Sequence, residues 1–154
     1  MTPRMLHISE AAALAFHAMA ILARDPDRLI STHEIAESLA VSENHLAKVR
    51  QDLARAGLVD AVRGPCGGFK LARSPAEITL MDVYEAIEGP YHPSDCLLGR
   101  PACDARSCVL GGLVESVNGQ VRAYLSGTTL AQLARAVGLR SEESGTVSPD
   151  YAGE

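Results

Sequence analysis

The chain has 154 residues, a formal net charge of −5, 47% hydrophobic residues and only 4% aromatic ones, with no Trp. This length supports a domain-sized core, and an apolar mass of Ala, Leu and Val favours helices over a β-sandwich. No apolar run reaches the roughly 18 residues of a membrane span, and the stretch from Met1 to His7 lacks a signal peptide's apolar core and cleavage site, so a cytoplasmic protein is expected, whose four cysteines are thiols or metal ligands rather than disulfides.

A first helix is expected from about Ser9 to Arg24, with Ile8, Leu14, Phe16, Ile21 and Leu22 as its apolar surface. Asp25-Pro26-Asp27 ends it, because Pro26 disfavours helix at the residue before it. A second, short helix opens at Ser31-Thr32-His33-Glu34, where Ser31 can cap free amides and Glu34 can reach back as a capping box. Its inner face is Ile35, Ala36 and Leu39, and it ends near Ala40. Val41-Ser42-Glu43 is a tight break, after which Ser42 caps a third helix running to about Ala56. Leu46, Val49 and Leu53 form one apolar stripe on that helix, and Asn44, Lys48, Gln51 and Arg55 form a polar stripe opposite them.

Gly57 stops the third helix, Leu58 to Val62 has a strand's composition, and Phe69-Lys70-Leu71 returns as its partner around the turn-rich tip Arg63-Gly64-Pro65-Cys66-Gly67-Gly68. Thr79 starts another helix with Leu80, Val83, Tyr84 and Ile87 inward, stopped by Gly89-Pro90. Residues 90–108 lack helical periodicity and hold three of the four cysteines. A long helix follows to about Leu125, with Leu110, Leu113, Val114, Val117, Val121 and Leu125 on one stripe. Thr129 and Gln132 form a capping box for a last short helix through Val137, and the polar chain from Ser141 onward is expected to be disordered.

Two short helices across a three-residue break, followed by a basic hairpin, are the elements of a winged helix-turn-helix. The apolar stripe fixes the second helix on the first. The opposite stripe suits the major groove, because Asn and Gln pair with adenine, and Arg and Lys with guanine or phosphate. Ser42, Asn44, His45, Lys48, Gln51 and Arg55 on the helix, with Arg63 and Lys70 on the wing, are the candidate DNA-binding residues. The acidic total does not oppose this. Residues 1–75 hold nine basic and eight acidic residues while the remainder holds five and eleven, and within 44–73 six basic residues face only Asp52 and Asp60. The basic segment is thus local, as a single phosphate-facing surface requires.

The stretch Arg63-Gly64-Pro65-Cys66-Gly67-Gly68-Phe69-Lys70-Leu71-Ala72-Arg73, followed by Ile78 to Gly89, resembles the signature of the Rrf2 family, and the likeness extends over about residues 6–138. That family includes bacterial regulators of iron–sulfur assembly, nitric oxide response and cysteine metabolism. The resemblance implies a homodimer whose long C-terminal helix packs on its partner's. Cys66 departs from the wing tip that the resemblance implies. It is read as incidental, with a reactive thiol beside Arg63 as the alternative.

Cys96, Cys103 and Cys108 are separated by six and four residues, close enough for one loop to bring three thiolates to a single centre. Soft sulfur ligands suit an iron–sulfur cluster or zinc, and zinc prefers four closed protein ligands. Metal-free redox thiols and inert cysteines remain as alternatives. The loop resembles that of the family's cluster-binding members, which implies a 2Fe-2S or 4Fe-4S cluster, but where many relatives carry a His three residues after the third cysteine this chain has Gly111. Alignment through the first helix puts His17 where one cluster-binding relative uses a His of the partner subunit. His7, Glu10, His92, Asp95 and Asp104 are weaker candidates for the fourth ligand.

The expected fold is therefore mainly α with a small β-hairpin: a winged helix-turn-helix over 6–75, a sensor loop and dimerisation helices over 76–138, and a disordered tail over 139–154. The expected function is a homodimeric repressor that binds a palindromic double-stranded DNA operator and is gated by an iron–sulfur cluster, with no membrane association. The alternatives are a metal-free thiol switch, or a cluster or thiol protein that uses the winged fold without DNA. No catalytic set of Ser, His and Asp, phosphate loop or carboxylate pair points to an enzyme.

Overall fold

A computed structural model of the chain describes residues 6–94, 96 and 108–136. Among the described residues are α1 (Glu10–Arg24), α2 (Thr32–Leu39), α3 (Glu43–Arg55), β1 (Val59–Val62), β2 (Gly68–Leu71), α4 (Leu80–Glu88), α5 (Gly111–Gly127) and α6 (Leu130–Ala136). This is the mainly helical, winged helix-turn-helix architecture that the sequence predicts. Val137 and the expected disordered tail lie outside the described residues.

The helix starts follow from side-chain oxygens that take up free amides. Ser9, Ser31 and Ser42 accept from the amides of Ala12, Glu34 and His45, at 3.1, 3.1 and 3.2 Å. The capping box expected at Ser31 is only half made, because the Glu34 carboxylate turns outward to Arg28 at 2.7 Å. Full reciprocal boxes occur instead at Thr79 with Asp82 and at Thr129 with Gln132. Between α2 and α3 the chain turns on Ala40 in the left-handed region, φ 53°, with its amide and that of Val41 bonded back to the end of α2.

One core runs through the described chain. Met19 and Leu22 of α1, Ile35 of α2, Leu46 and Leu53 of α3, Phe69 of the hairpin, Val83 of α4 and Leu130 of α6 are all buried within it. Ile8, expected on the apolar surface of α1, precedes the helix and is half exposed.

β1 and β2 pair antiparallel in the register Val59 with Leu71 and Val62 with Gly68. Ile30, just ahead of α2, adds an isolated bridge to Phe69 on the outer edge of β2. That approach is close: a Cβ on Gly68 would stand 2.3 Å from the Ile30 carbonyl oxygen. Glycine at 68 is therefore what lets the wing lie against the entry to α2.

At the other end, the turn from α5 into α6 is bonded to the entry of α4. The Leu80 amide donates to the Thr128 carbonyl and the Leu130 amide to the Ile78 carbonyl, both at 2.9 Å.

Candidate nucleic-acid interface and cysteine loop

The third helix presents two chemically opposite faces. Leu46, Val49 and Leu53 are buried against the body, while Asn44, His45, Lys48, Gln51 and Arg55 are exposed. Ser42 caps the helix and is itself exposed. Arg63 is exposed next to β1, and Lys70 is half-buried on β2. Of the predicted contact residues, Arg55 already has a partner, Asp52 one turn back at 3.0 Å. Exposed pairs of this kind are weak, so the guanidinium is available to a phosphate or a guanine.

The sequence does not reveal the ion pair across the helix-turn-helix. His33 of α2 meets the Glu43 carboxylate at 2.6 Å, at the first turn of α3. The hydrogen bond and the charge of Glu43 hold His33 above its usual 6.5. A second such tie joins the start of α1 to the end of α4: Glu88 accepts from the Ser9 amide at 2.9 Å and lies 3.5 Å from His7. Partial burial raises the Glu88 carboxyl, but the bonds from Ser9 and the charge of His7 outweigh it and leave the group below 4.5.

Cys96 and Cys108 are half-buried at the two ends of the cysteine loop, while Cys103, Asp95 and Asp104 lie outside the described residues. The Cys108 side chain lies over Gly111, where an added Cβ would come within 3.3 Å of its Cβ. Among the described residues no three His, Cys, Asp or Glu side chains gather into a cluster. His17 is exposed on α1 with Nδ1 2.7 Å from the Ala13 carbonyl. A carbonyl only accepts, so Nδ1 is the donor in that contact and Nε2 is not engaged by it. His7 is engaged with Glu88, and Glu10 and His92 are exposed. Cys66 is exposed at the wing tip.

Sequence reasoning missed a polar group on the inner face of α5. Asn118 is 9% exposed and donates from Nδ2 to the Ser94 carbonyl at 2.9 Å. The signal was present, since Asn118 interrupts the apolar series Val114, Val121, Leu125 at helical spacing.

The apolar stripe on α5 is divided. Val114 and Leu125 are buried in the chain's own core, whereas Leu110 and Leu113 are 45 and 53% exposed, and Tyr124, not among the residues expected on the stripe, is 63% exposed. Tyr124 also lines a groove of about 930 Å³ with Leu6, Ile8, Phe16, Val121 and Leu133. Among the described residues no helix is long and apolar enough to cross a membrane.

The sequence model of the Rrf2 family, described as an iron-dependent transcriptional regulator, matches residues 8–136. An HTH-type transcriptional regulator of Aquifex aeolicus is 34% identical over 128 residues, spanning 81% of this chain and 89% of its own. The structure of CymR, the global cysteine regulator of B. subtilis, superposes with a TM-score of 0.75 at 28% identity, over 86% of this chain and 98% of its own. IscR of T. potens superposes with a TM-score of 0.67 at 26% identity, over 91 and 94%.

Proposed function

The chain belongs to the Rrf2 family of transcriptional regulators, and from that premise we propose that it is a homodimeric repressor of a palindromic operator, gated by an iron–sulfur cluster on Cys96, Cys103 and Cys108. The observation that carries the DNA reading is the exposed polar face of α3, set beside a basic wing and backed by a fully buried stripe. Lys48, Gln51 and Arg55 meet base edges or phosphates, while Arg63 and Lys70 meet the backbone beside them.

The second copy lies on the exposed side of α5, against Leu113 and Tyr124 and the groove beside them. Exposed apolar area of this kind marks an interface. Two recognition helices then address half-sites about one DNA turn apart.

Support for the cluster comes from the donor set. Two thiols flank the loop, a third lies within it in sequence, and the exposed His17, bonded through Nδ1 to its own helix, serves a partner subunit as the fourth ligand through Nε2. Three thiolates in one short loop repel one another unless a cation compensates them, and a bound cluster supplies that charge and redox sensitivity. The family's description as iron-dependent agrees with this reading. The alternative of a metal-free thiol switch keeps the same three cysteines, and it is favoured by the likeness to a cysteine regulator, one of whose Staphylococcus aureus relatives is described in an oxidized form.

Visible absorption of protein purified anaerobically decides between them. The cluster reading expects a brown chromophore that Ser at Cys96, Cys103 or Cys108 abolishes and Cys66→Ser spares. A colourless, iron-free protein after supply of iron and sulfide overturns it in favour of the thiol switch. Gel shifts test the DNA reading: a Gln51→Ala, Arg55→Ala double variant loses about 1–3 kcal/mol for each base contact removed.

A further inference from the structure

We infer that Asn118 is the positioning residue through which α5 reads the state of the cysteine loop, an inference that rests on the regulatory reading above. Ser94 is 5% exposed, and its hydroxyl accepts from the Cys96 amide at 3.1 Å and donates to the Cys96 carbonyl. The carbonyl of Ser94 is held in turn by Asn118. The backbone of the first cysteine is therefore two hydrogen-bonded steps from the middle of the long helix.

One turn further along α5, Arg122 lies over the Tyr91 ring, 5.4 Å from its centre. Tyr91 packs edge-on against Tyr84 of α4, and its amide donates to Glu85 at 2.9 Å. Asn118 and Arg122 stand four residues apart, on one face of the helix. Together they strap the segment leading to Cys96 against α5 at two points: the Tyr91 end is anchored to α4, and the Ser94 end is held by Asn118.

These two straps differ in kind. The ring contact between Tyr91 and Arg122 tolerates small displacements. The amide bond does not, because hydrogen bonds weaken steeply with distance and angle. Asn118 also keeps one atom in reserve: Oδ1 is buried and has no hydrogen-bond partner among the described residues. A buried acceptor without a donor is costly, so the Nδ2 bond to Ser94 is what offsets the burial of this amide. Asn118 thus holds the segment through its donor. A polar residue in the buried series of Val114 and Leu125 makes this bond, which Leu at the same place would lack.

The experiment compares full-length wild type with Asn118→Leu, Ser94→Ala and Ser94→Thr, each checked for its dimer and its helix content. The first readout is amide hydrogen exchange over residues 91–96 in the reduced apoprotein. Loss of the Asn118 bond in Asn118→Leu, or of the hydroxyl's bonds to the Cys96 backbone in Ser94→Ala, is expected to speed exchange there by about fivefold, with Ser94→Thr close to wild type and the wing unchanged. The second readout is the ratio of operator affinities between apoprotein and protein loaded anaerobically with ferrous iron and sulfide. That ratio is expected to shrink toward one in Asn118→Leu.

Exchange over 91–96 that is unchanged in a folded Asn118→Leu protein overturns the inference. So does an affinity ratio that stays at the wild-type value while exchange rises, since the strap is then structural and carries no signal. A wild-type ratio of one overturns the gating proposal itself, and the coupling inferred from it, even where exchange over 91–96 still shows the strap.

Discussion

Ile30 and Phe69 exchange both of their main-chain hydrogen bonds, at 3.1 and 2.9 Å, and so fasten the wing to the residue that precedes the Ser31 cap of α2. The hairpin follows α3 in sequence but is pinned to the start of α2. The position of the wing beside α3 is therefore set from both ends of the helix-turn-helix.

Gly68→Ala tests that fastening. Its Cβ would stand 2.3 Å from the Ile30 oxygen and 2.6 Å from the Ile30 carbonyl carbon, backbone atoms that cannot move aside cheaply. A loss of about 1–3 kcal/mol is expected from overpacking, read as a lower midpoint in denaturant melts. Operator affinity falls with it, because the wing leaves its seat.

Ala40→Gly acts in the opposite direction. Ala40 closes α2 at φ 53°, a conformation in which a Cβ is disfavoured. Glycine relieves the strain but adds freedom to the unfolded chain, so the net gain is expected to be at most about 1 kcal/mol. Val at the same position destabilises by more than that. Thermal melts of the two variants check the sign.

The pH dependence of stability carries two contributions of opposite sign. Glu88 lies below 4.5 in the fold, so its contribution is full above that value and is lost as pH falls through the lowered one. Glu88→Gln should flatten the acid side of the stability curve. His33 is held above 6.5, so its pairing with Glu43 helps fully below 6.5 and is lost as pH rises past the raised value. The effect of His33→Gln is small because the pair is solvent-exposed. Denaturant midpoints measured from pH 3 to 9 separate the two.

Leu113→Glu tests the assembly. Leu113 is 53% exposed on the outer side of α5 and makes a smaller contribution to the chain's own core than Val114 beside it. The variant should keep its fold and scatter light as a monomer. A wild-type monomer at micromolar concentration contradicts the dimer proposal.

The sequence carried most of the helix-turn-helix because each of its signals is local. Serines at 31 and 42 cap, Leu46, Val49 and Leu53 repeat at helical spacing, and Gly67-Gly68 marks the tip of the hairpin. The missed features depend on partners far apart in the chain. Glu88 and Ser9 are separated by 79 residues, and Asn118 and Ser94 by 24. The half-made cap at Ser31 shows the same limit: Glu34 had a second suitor in Arg28, and spacing alone does not rank the two. The division of the α5 stripe was equally hidden, since periodicity gives an apolar face but not which part of it the chain's own core will cover.

The two ends of α5 are held very differently. The turn that follows it is bonded to the entry of α4 through Thr128 and Leu130, whereas its first turn follows an exposed Val109 and has no side-chain cap at Leu110. The helix is about 26 Å long, with Thr128 at its fastened end and Cys108 just ahead of the other, and the buried Val114 and the contacts of Asn118 and Arg122 limit any tilt between them. A slight tilt sweeps Leu113 through several times the arc of Tyr124. On the dimer proposal, a partner seated at Leu113 is placed to register a change at the cysteines, and one seated at Tyr124 is not.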